Sequence, residues 1–357
     1  TGTQNVKLEG ASGGTYEIPR LGVPSITVND GPAGVRYGTT IWYPSVINIS
    51  SSWDTQLAQE IGVSMAEDAL AQDIDIILAP GMNIQKNVLG GRNFEYFSED
   101  PLVTGLMAVA QLNGLHSVGV TGTIKHFACN NQEYSRRRVD PVVSERALRE
   151  IYLKGYQIAV TEGGAYTIMT TYCPLNGCWT ASHYDLNTTI LRGEWGFDGI
   201  VMTDWWAVGC EEGSEPSTKL VASMVRAQND LFMVMNNSEQ NTGEDDSAES
   251  LRLGKVTRAE YQRSAFQIAL LFLKGILGLA GEELHHAQHA NGVGDHRQDD
   301  GGHVLDQSLQ AEANARKQEA VVIQRPLLGN NICHLTAAFA AEGLQHQKHK
   351  GTQPHHA

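Results

Sequence analysis

The sequence predicts an α/β protein: a TIM-like (β/α) barrel over residues 1–275, followed by a poorly structured tail over residues 276–357. Short apolar runs alternate with longer helical patterns between residues 25 and 275, which indicates repeated β-then-α units. The apolar runs are nearly continuous, as is typical of parallel strands covered on both faces. No Gly-rich GxGxxG turn follows the first run, so about six such units favour a barrel over an open nucleotide-binding sheet.

Six strands are predicted from apolar runs bounded by turn-forming residues. In chain order they are Ser25–Val28, Asp73–Leu78, Gly122–Ile124, Tyr166–Thr170, Gly199–Thr203 and Asp230–Met235. Between them, apolar residues recur at helical spacing, and Ser, Asp or Pro stands at several starts. The predicted helices span residues 51–72, 101–117, 144–160, 185–196 and 257–275.

The composition changes near residue 280. Residues 281–357 hold ten of the 13 histidines and only one aromatic residue, Phe339. Such a segment buries too little apolar surface to offset its ordering entropy, so we predict a His- and Gln-rich tail that is disordered or partly helical. The HHAQH stretch at 285–289 is a candidate metal cluster, but a solvated tail is the favoured interpretation and no metal site is predicted.

Charge and hydropathy exclude several kinds of partner. The chain has 40 acidic and 26 basic residues, a net charge of −14, which disfavours nucleic acid and anionic membranes. No apolar run reaches the ~18–20 residues of a membrane span, and the N-terminus lacks a signal-peptide pattern. We predict no nucleic-acid or membrane partner and no cofactor, with a bacterial cytoplasm slightly favoured over secretion. Five cysteines without metal spacing predict buried free thiols.

Polar side chains follow successive predicted strands. The residues at these positions are Asp30, Arg92, Lys125, His126, Tyr172 and Asp204. In a barrel the C-terminal strand ends meet on one face, so we expect these groups to converge. Acids, cations and an aromatic group beside tryptophan predict a sugar site, because charged groups hydrogen-bond vicinal hydroxyls and indole covers the apolar face of a pyranose.

Each of these residues also has a structural interpretation. Asp30 suits a turn, Arg92 an ion pair with Glu95 or Glu99, and Asp204 a helix cap. Lys125 and His126 together suit a buried structural pair. A polar residue with a purely structural role is common at one strand end. Purely structural roles at several successive strand ends are much less expected.

Five stretches resemble the barrel domain of glycoside hydrolase family 3, the β-glucosidase and β-xylosidase family, in that family's order. They are DGPAGVR, GGRNFEYFSEDP, KHFACNNQE, SERALREIYLKGYQIAV and WGFDGIVMTDWWA, within roughly residues 17–275. The resemblance implies a retaining mechanism. In that mechanism one carboxylate forms a covalent glycosyl-enzyme, and a second acid protonates the leaving oxygen.

The resemblance also implies roles for matched residues. Asp204 corresponds to the family's nucleophile and Trp205 to the residue beside the sugar ring. Contacts to sugar hydroxyls are implied for Asp30, Arg92, Lys125, His126 and Tyr172, and less closely matched subsite positions are Arg136 and Met169. A nucleophilic Asp must be ionised, and we expect nearby Lys125, Arg92 and His126 to help keep it so.

Two sequence differences from other branches of the family narrow the range of expected substrates. KHFACNNQE lacks the KHFPGHG pattern of the family's N-acetylglucosaminidases, and Asp30 and Trp205 resemble β-glucosidases more than β-xylosidases. The expected function is exo-acting release of terminal β-D-glucose from β-glucosides or cello-oligosaccharides, as in cellulose degradation. A β-xylosidase is the alternative.

No acid/base is assigned. In most of the family it is a Glu on a second α/β sandwich domain, which residues 276–357 do not resemble. The WWA, NDLFMVMNN and TRAEYQRSAFQIALLFL stretches resemble a subgroup whose sandwich precedes the barrel. We therefore expect a barrel whose acid/base comes from a second domain or a partner chain. The alternative is an impaired or non-catalytic sugar-binding barrel.

Overall fold

The computed structural model describes residues 2–3, 8–36, 40–237 and 240–271. Apart from Pro19–Gly22, these residues belong to one compact unit. The predicted tail lies outside the described residues, as do the end of the predicted helix at 257–275 and the HHAQH stretch. No helix in the described part of the chain is both long and apolar enough to cross a bilayer.

The structure has eight strands in its described residues. They are β1 (Gly13–Gly14), β2 (Thr27–Asp30), β3 (Ile76–Leu78), β4 (Thr121–Phe127), β5 (Thr167–Thr170), β6 (Pro174–Leu175), β7 (Cys178–Trp179) and β8 (Ile200–Met202). Six of them form one sheet in the order β1-β2-β3-β4-β5-β8, and β6 and β7 form a separate hairpin. β1 is antiparallel to β2, whereas all the later neighbours in the sheet are parallel.

Residue pairs outside the named strands connect the two edges of this sheet. Met202 in β8 pairs in parallel with Leu231, Met235 pairs in parallel with Thr3, and Thr3 pairs antiparallel with Gly14 in β1. The Thr3 N–H donates to the Gly14 carbonyl at 2.8 Å. The predicted barrel is therefore confirmed. The sixth predicted strand, at Asp230–Met235, is not a regular strand. Two of its residues, Leu231 and Met235, form isolated bridges with Met202 and Thr3.

The described residues form eight α-helices. They are α1 (Val46–Ser51), α2 (Thr55–Leu70), α3 (Pro101–Val118), α4 (Glu145–Ala147), α5 (Lys154–Thr161), α6 (Val221–Arg226), α7 (Ser247–Arg252) and α8 (Arg258–Leu271). Short 3₁₀ turns occur at Pro19–Leu21, Asn93–Glu95 and Thr180–Ser182. As the sequence signals indicate, the carboxylates of Asp54 and Asp100 cap α2 and α3 by accepting backbone N–H groups.

Two predicted helices differ in form from expectation. The helix predicted at 144–160 is divided into α4, a π-helical turn at Leu148–Tyr152, and α5. The helix predicted at 185–196 is a π-helix at Asp185–Glu194. Apolar spacing did not distinguish these windings, because the buried Leu186, Ile190 and Leu191 keep the i, i+4 spacing that predicts an α-helix. The short helices α1, α6 and α7 were not predicted, since six residues carry too little periodicity.

The core has an inner and an outer layer. Inside the barrel, apolar side chains from β2, β3, β5 and β8 pack together with Leu231 and Met233. Outside it, α3, α5 and the π-helix cover the other face of the sheet. α2 and α3 approach closely at Gly62 and Gly114. The approach requires glycine, since a Cβ on Gly114 would lie 2.1 Å from the Gln59 carbonyl oxygen.

The pairing register between β4 and β5 shifts between Lys125 and Phe127. In a regular strand, consecutive side chains point to opposite faces of the sheet. The irregularity breaks that alternation at the C-terminal end of β4. Two consecutive residues, Lys125 and His126, consequently both reach the same end of the barrel.

Candidate active site

Asp204 lies two residues beyond the end of β8, and only 7% of its surface is exposed. Its Oδ1 accepts the backbone N–H of Trp205 at 2.7 Å. Burial raises the pKa of Asp204 above its ordinary value. The positive charge of Arg92, the Trp205 N–H, a hydrogen bond from Tyr172 and the positive charge of Lys125 all oppose that rise. The carboxylate is thus buried but surrounded by groups that favour its ionised form.

Lys125 connects two acids at the strand ends. Its Nζ lies 2.7 Å from Asp30 Oδ1 and 4.0 Å from Glu95 Oε2, and its side chain is almost fully buried. Arg36 Nη1 contacts the other oxygen of Asp30 at 2.9 Å. Burial alone would raise the pKa of Asp30, but Lys125 and Arg36 outweigh it and hold that pKa below its ordinary value. Asp30 therefore is ionised and ion-paired, which a simple turn residue would not require.

Arg92 is joined directly to Glu95 through its Nε atom. Burial by itself would lower the pKa of Arg92, but Tyr96 and Glu95 raise it further above its ordinary range. The structural interpretation of this arginine, an ion pair with Glu95, is thus correct. The same guanidinium also exerts the largest pKa-lowering effect on Asp204, so it belongs to both arrangements.

His126 is buried beside Asp204, with 3.8 Å between its Nε2 and Asp204 Oδ2. Its Nδ1 lies 3.2 Å from the Tyr96 hydroxyl oxygen and 3.4 Å from Asn83 Oδ1. Burial first, and then three neighbouring cations, hold the pKa of His126 well below its ordinary value; the cations are Arg92, Lys125 and Arg136. The imidazole is neutral, so the expectation that His126 helps to ionise Asp204 by its charge is wrong.

Arg136 lies against the ring of Tyr172, a neighbour of Asp204. Arg136 Nη1 contacts Glu133 Oε2 at 2.7 Å, and the guanidinium carbon lies 4.7 Å from the centre of the Tyr172 ring. Arg137 lies at the same distance from that ring. Burial, followed by the charge of Asp204, raises the pKa of Tyr172, so its hydroxyl stays protonated and can donate.

Trp205 and Met169 provide apolar surface. The indole Nε1–H of Trp205 donates to the Ser12 carbonyl at 2.9 Å, which fixes the ring against the segment that leads into β1. Trp205 is partly exposed and packs on the apolar cluster inside the barrel. Met169 is 1% exposed and is a member of that cluster. Its implied sugar contact stays a prediction.

Several polar neighbours of the site were not predicted from the sequence. They are Ser12, Asn83, Tyr96, Asn130 and Glu133, each of which bonds a site residue or its immediate neighbour. Tyr96 lies in GGRNFEY, Asn130 and Glu133 in KHFACNNQE, and Asn83 in PGMN, so the motifs carried a signal. Ser12 accepts the Trp205 indole N–H through its backbone carbonyl, which no side-chain pattern reveals, and its hydroxyl oxygen accepts the Asp30 N–H at 3.1 Å.

Metal and thiol chemistry have little support in the described part of the chain. There, no three or more His, Cys, Asp or Glu side chains are grouped so as to hold a metal ion. The four described cysteines are free, with Cys129 and Cys173 buried and Cys178 exposed. Burial raises the pKa of the Cys129 thiol, which disfavours the reactive thiolate. What the site does contain is a buried carboxylate, several fixed donors and an indole.

Comparison with known proteins identifies relatives of this region. Residues 5–271 match the family model described as the glycosyl hydrolase family 3 N-terminal domain. A β-glucosidase from Ruminococcus albus is 51% identical over 254 residues, which cover 70% of this chain and 27% of that enzyme.

Solved structures agree in fold. The crystal structure of a β-glucosidase from Paenibacillus barengoltzii has a TM-score of 0.72 and 47% identity over 76% of this chain and 31% of its own. β-Glucosidase 3B from Thermotoga neapolitana, solved with glucose, has a TM-score of 0.69 and 35% identity, covering 79% of this chain and 41% of its own. The chain thus spans under half the length of these relatives.

Proposed function

This chain belongs to glycosyl hydrolase family 3, and on that premise we propose that it is the barrel of a retaining, exo-acting β-glucosidase with Asp204 as the nucleophile. The observation that carries the proposal is the environment of Asp204. It is a buried carboxylate at a strand end, with Arg92 and Lys125 favouring its charge and only neutral donors in hydrogen-bond contact. A nucleophilic carboxylate needs to be ionised yet unpaired, and this arrangement supplies both conditions.

In the proposed reaction, an oxygen of Asp204 forms a bond to the anomeric carbon as the bond from that carbon to the leaving oxygen breaks. The leaving oxygen takes a proton from the acid/base. Water then attacks the same carbon and gives one proton back to the acid/base, while the covalent bond to Asp204 breaks, which releases glucose. The Trp205 N–H and the Tyr172 hydroxyl orient the carboxylate throughout, since both bond it before substrate arrives.

The neighbouring groups suit a glucose ring. We propose that Asp30 accepts hydrogen bonds from sugar hydroxyls, while Lys125, Arg92 and Arg136 donate hydrogen bonds to hydroxyl oxygens and the Trp205 indole covers the apolar face of the ring. Met169 would close the apolar floor. Support comes from the Thermotoga neapolitana relative, which was solved with glucose, and from the β-glucosidase names of the other two relatives.

The proton donor is not among the carboxyl groups described near Asp204. Glu95 bonds Arg92 and lies 4.0 Å from Lys125, and Glu133 bonds Arg136. Both carboxyl groups thus serve as the counter-charges of guanidinium groups, and neither is left free to contact a leaving oxygen. We propose that a second domain or a partner chain supplies the acid/base.

Covalent trapping tests the nucleophile. Incubation with a 2-deoxy-2-fluoro-β-glucoside that carries an activated leaving group is expected to add one fluoroglucosyl mass to the intact chain, and peptide mapping should find it on Asp204. Asp204→Ala should not be labelled. Asp198→Asn, which changes an exposed acid in the same GFDG stretch, is the matched control and should be labelled like the wild type. Labelling of Asp204→Ala would refute the assignment.

A non-catalytic sugar-binding barrel is the second candidate, because both neighbouring carboxyl groups are ion-paired. The two candidates differ on activated substrates. A proton donor contributes about 10²–10⁴-fold, and less for a good leaving group, so an impaired enzyme should still cleave an activated aryl β-glucoside. Glucose binding by calorimetry without any cleavage or trapping would favour the second candidate. Preference for the aryl β-xyloside would favour the xylosidase alternative.

A further inference from the structure

The main chain at His126 is fixed by two buried side chains. Asn83 makes a paired contact, in which its Nδ2 donates to the His126 carbonyl and its Oδ1 accepts the His126 N–H, both at 2.8 Å. The Tyr156 hydroxyl donates to the same carbonyl at 2.9 Å. These bonds hold the imidazole in place, but they do not decide which ring nitrogen carries the proton.

The orientation of Asn130 follows from its neighbours. Its Nδ2 lies 2.8 Å from the Tyr96 hydroxyl oxygen and 3.2 Å from Glu133 Oε1. Glu133 also receives the guanidinium of Arg136, as a carboxylate does, and a carboxylate can only accept. The amide nitrogen must therefore face Glu133, because the reverse orientation would set two acceptor oxygens against each other. The Asn130 amide consequently donates to Tyr96.

Tyr96 then has its own proton to give. Its oxygen accepts from Asn130, and burial raises its pKa, so the hydroxyl keeps its hydrogen. Among the described residues, the other polar atom within hydrogen-bond distance of the Tyr96 hydroxyl is His126 Nδ1, at 3.2 Å. A buried hydroxyl rarely leaves its hydrogen unbonded, since that costs about 1–3 kcal/mol. Donation from Tyr96 to Nδ1 satisfies it.

We infer that Asn130 and Tyr96 are positioning residues that hold His126 as the Nε2–H tautomer. A neutral imidazole carries one hydrogen, and a nitrogen that accepts from Tyr96 cannot hold it. The opposite tautomer would direct Nδ1–H to Asn83 Oδ1 at 3.4 Å, an oxygen that already accepts the His126 backbone N–H. It would also leave the Tyr96 hydrogen without this acceptor. The directional chain from Asn130 to Tyr96 to His126 excludes it.

The consequence rests on the proposed function and concerns how the sugar is held. Nε2 is 3.8 Å from Asp204 Oδ2, which is too far for a direct hydrogen bond. A sugar hydroxyl between them can accept from Nε2–H and donate its own hydrogen to the Asp204 carboxylate. With the opposite tautomer the hydroxyl would have to donate to Nε2, and Asp204 would lose that bond. The tautomer therefore sets the direction of hydrogen bonding at the nucleophile.

Nitrogen-15 NMR of the full chain, labelled in its histidine rings, tests the inference directly. Two-bond proton–nitrogen correlations distinguish the two neutral tautomers, and comparison with His126→Gln assigns the signal. The wild type is expected to show a protonated Nε2 and an unprotonated Nδ1 at His126. A protonated Nδ1 would overturn the inference, and this measurement requires no variant of Tyr96 or Asn130 to fold.

Variants then test the chain that sets the tautomer. Asn130→Leu removes the donor that fixes the direction of the Tyr96 hydroxyl, and Tyr96→Phe removes the hydroxyl itself, so each should leave a mixture of the two tautomers. Tyr156→Phe is the matched control, because it removes a buried hydroxyl that, among the described residues, bonds the His126 carbonyl and not the ring, and it should keep the Nε2–H form. An unchanged tautomer in both Asn130→Leu and Tyr96→Phe would refute the positioning role.

Glucose binding provides the functional reading. Calorimetry should show weaker glucose binding for Asn130→Leu and Tyr96→Phe, by up to about tenfold, which is equivalent to one hydrogen bond. The two proposals fail separately. An Nε2–H signal without covalent trapping on Asp204 contradicts the proposed nucleophile alone, whereas trapping together with an Nδ1–H signal contradicts only the tautomer.

Discussion

Two buried aspartates lie near opposite ends of the strand region that closes the barrel, and they differ in how they are satisfied. Asp204 follows the C-terminal end of β8, whereas Asp230 precedes Leu231, at the start of the next strand segment. Burial raises the pKa of both. Yet Asp230 contacts Arg192 at 2.5 Å and Arg263 at 2.8 Å, and it also accepts the Val201 N–H.

Asp204 has no such contact pairing among the described residues. Arg92 and Lys125 act on it through their charge, and a backbone N–H and a tyrosine hydroxyl bond it. A carboxylate has about four acceptor positions. Those of Asp230 are used by two guanidinium groups and a backbone N–H, all of which are fixed parts of the fold. The comparison teaches that a raised pKa alone does not distinguish a catalytic carboxylate from a structural one. The acceptor positions that Asp204 leaves for substrate are what favour it as the proposed nucleophile.

The largest expected effect separates activity from stability. Asp204→Asn should lower cleavage of an activated aryl β-glucoside by about 10⁴-fold or more, because the covalent step is lost. Asp230→Asn should leave the rate per folded molecule close to that of the wild type. Steady-state kinetics normalised to the folded fraction measure both. A comparable rate loss in the two variants would break the distinction between the two acids.

The second effect concerns folding. Asp230→Ala should lower the free energy of unfolding by about 3–5 kcal/mol, because it leaves Arg192 buried without its counter-charge. Urea denaturation followed by tryptophan fluorescence measures it. Glu162→Ala, at an exposed position remote from Arg192 in sequence, is the control and should change the value by about 0.5 kcal/mol or less. A loss under about 1 kcal/mol for Asp230→Ala would contradict the structural role.

The pH dependence should follow from the direction of each pKa shift. The pKa of Asp204 is raised above its ordinary value of 3.8, so covalent trapping should fall as pH drops through that raised pKa, before Asp30 is affected. The pKa of Asp30 is lowered. Its contribution to stability is present above pH 3.8 and is lost only as pH falls through the lower folded-state pKa. An acid limit of trapping at or below pH 3.8 would contradict this order.

The smallest effect is a gain in stability. Because the folded-state pKa of Asp204 is raised, the ionised form weakens folding at neutral pH, and this cost disappears as pH falls and the acid is protonated. Asp204→Asn should therefore raise the free energy of unfolding by about 1 kcal/mol at pH 7 and by less near pH 4. Thermal unfolding at the two pH values measures it. A destabilised Asp204→Asn would mean that the carboxylate has a paired role like that of Asp230.

Local sequence was sufficient for the residue types of the site and for most strands and long helices. The strand-end residues could be named because they follow the predicted apolar runs. The helix predicted from residue 51 begins at Thr55 instead, with Asp54 as its cap, because several Ser and Asp residues occur there and the fold decides which one caps. The winding of the π-helix at Asp185–Glu194 could not be predicted, because its buried residues keep the i, i+4 spacing of an α-helix. The neutral state of His126 also escaped prediction, since it depends on burial.

The sequence by itself determined the inventory: which acid, cations and aromatic residues stand at the strand ends, and in which order. Only the tertiary structure decided the partners. Lys125 pairs with Asp30 across 95 positions of sequence, Thr3 joins Gly14 to Met235, and Asn130 reaches His126 through Tyr96. These contacts depend on the distance and direction between side chains, and those are set when the barrel closes and excludes water. The chain alone encodes them only through its whole packing.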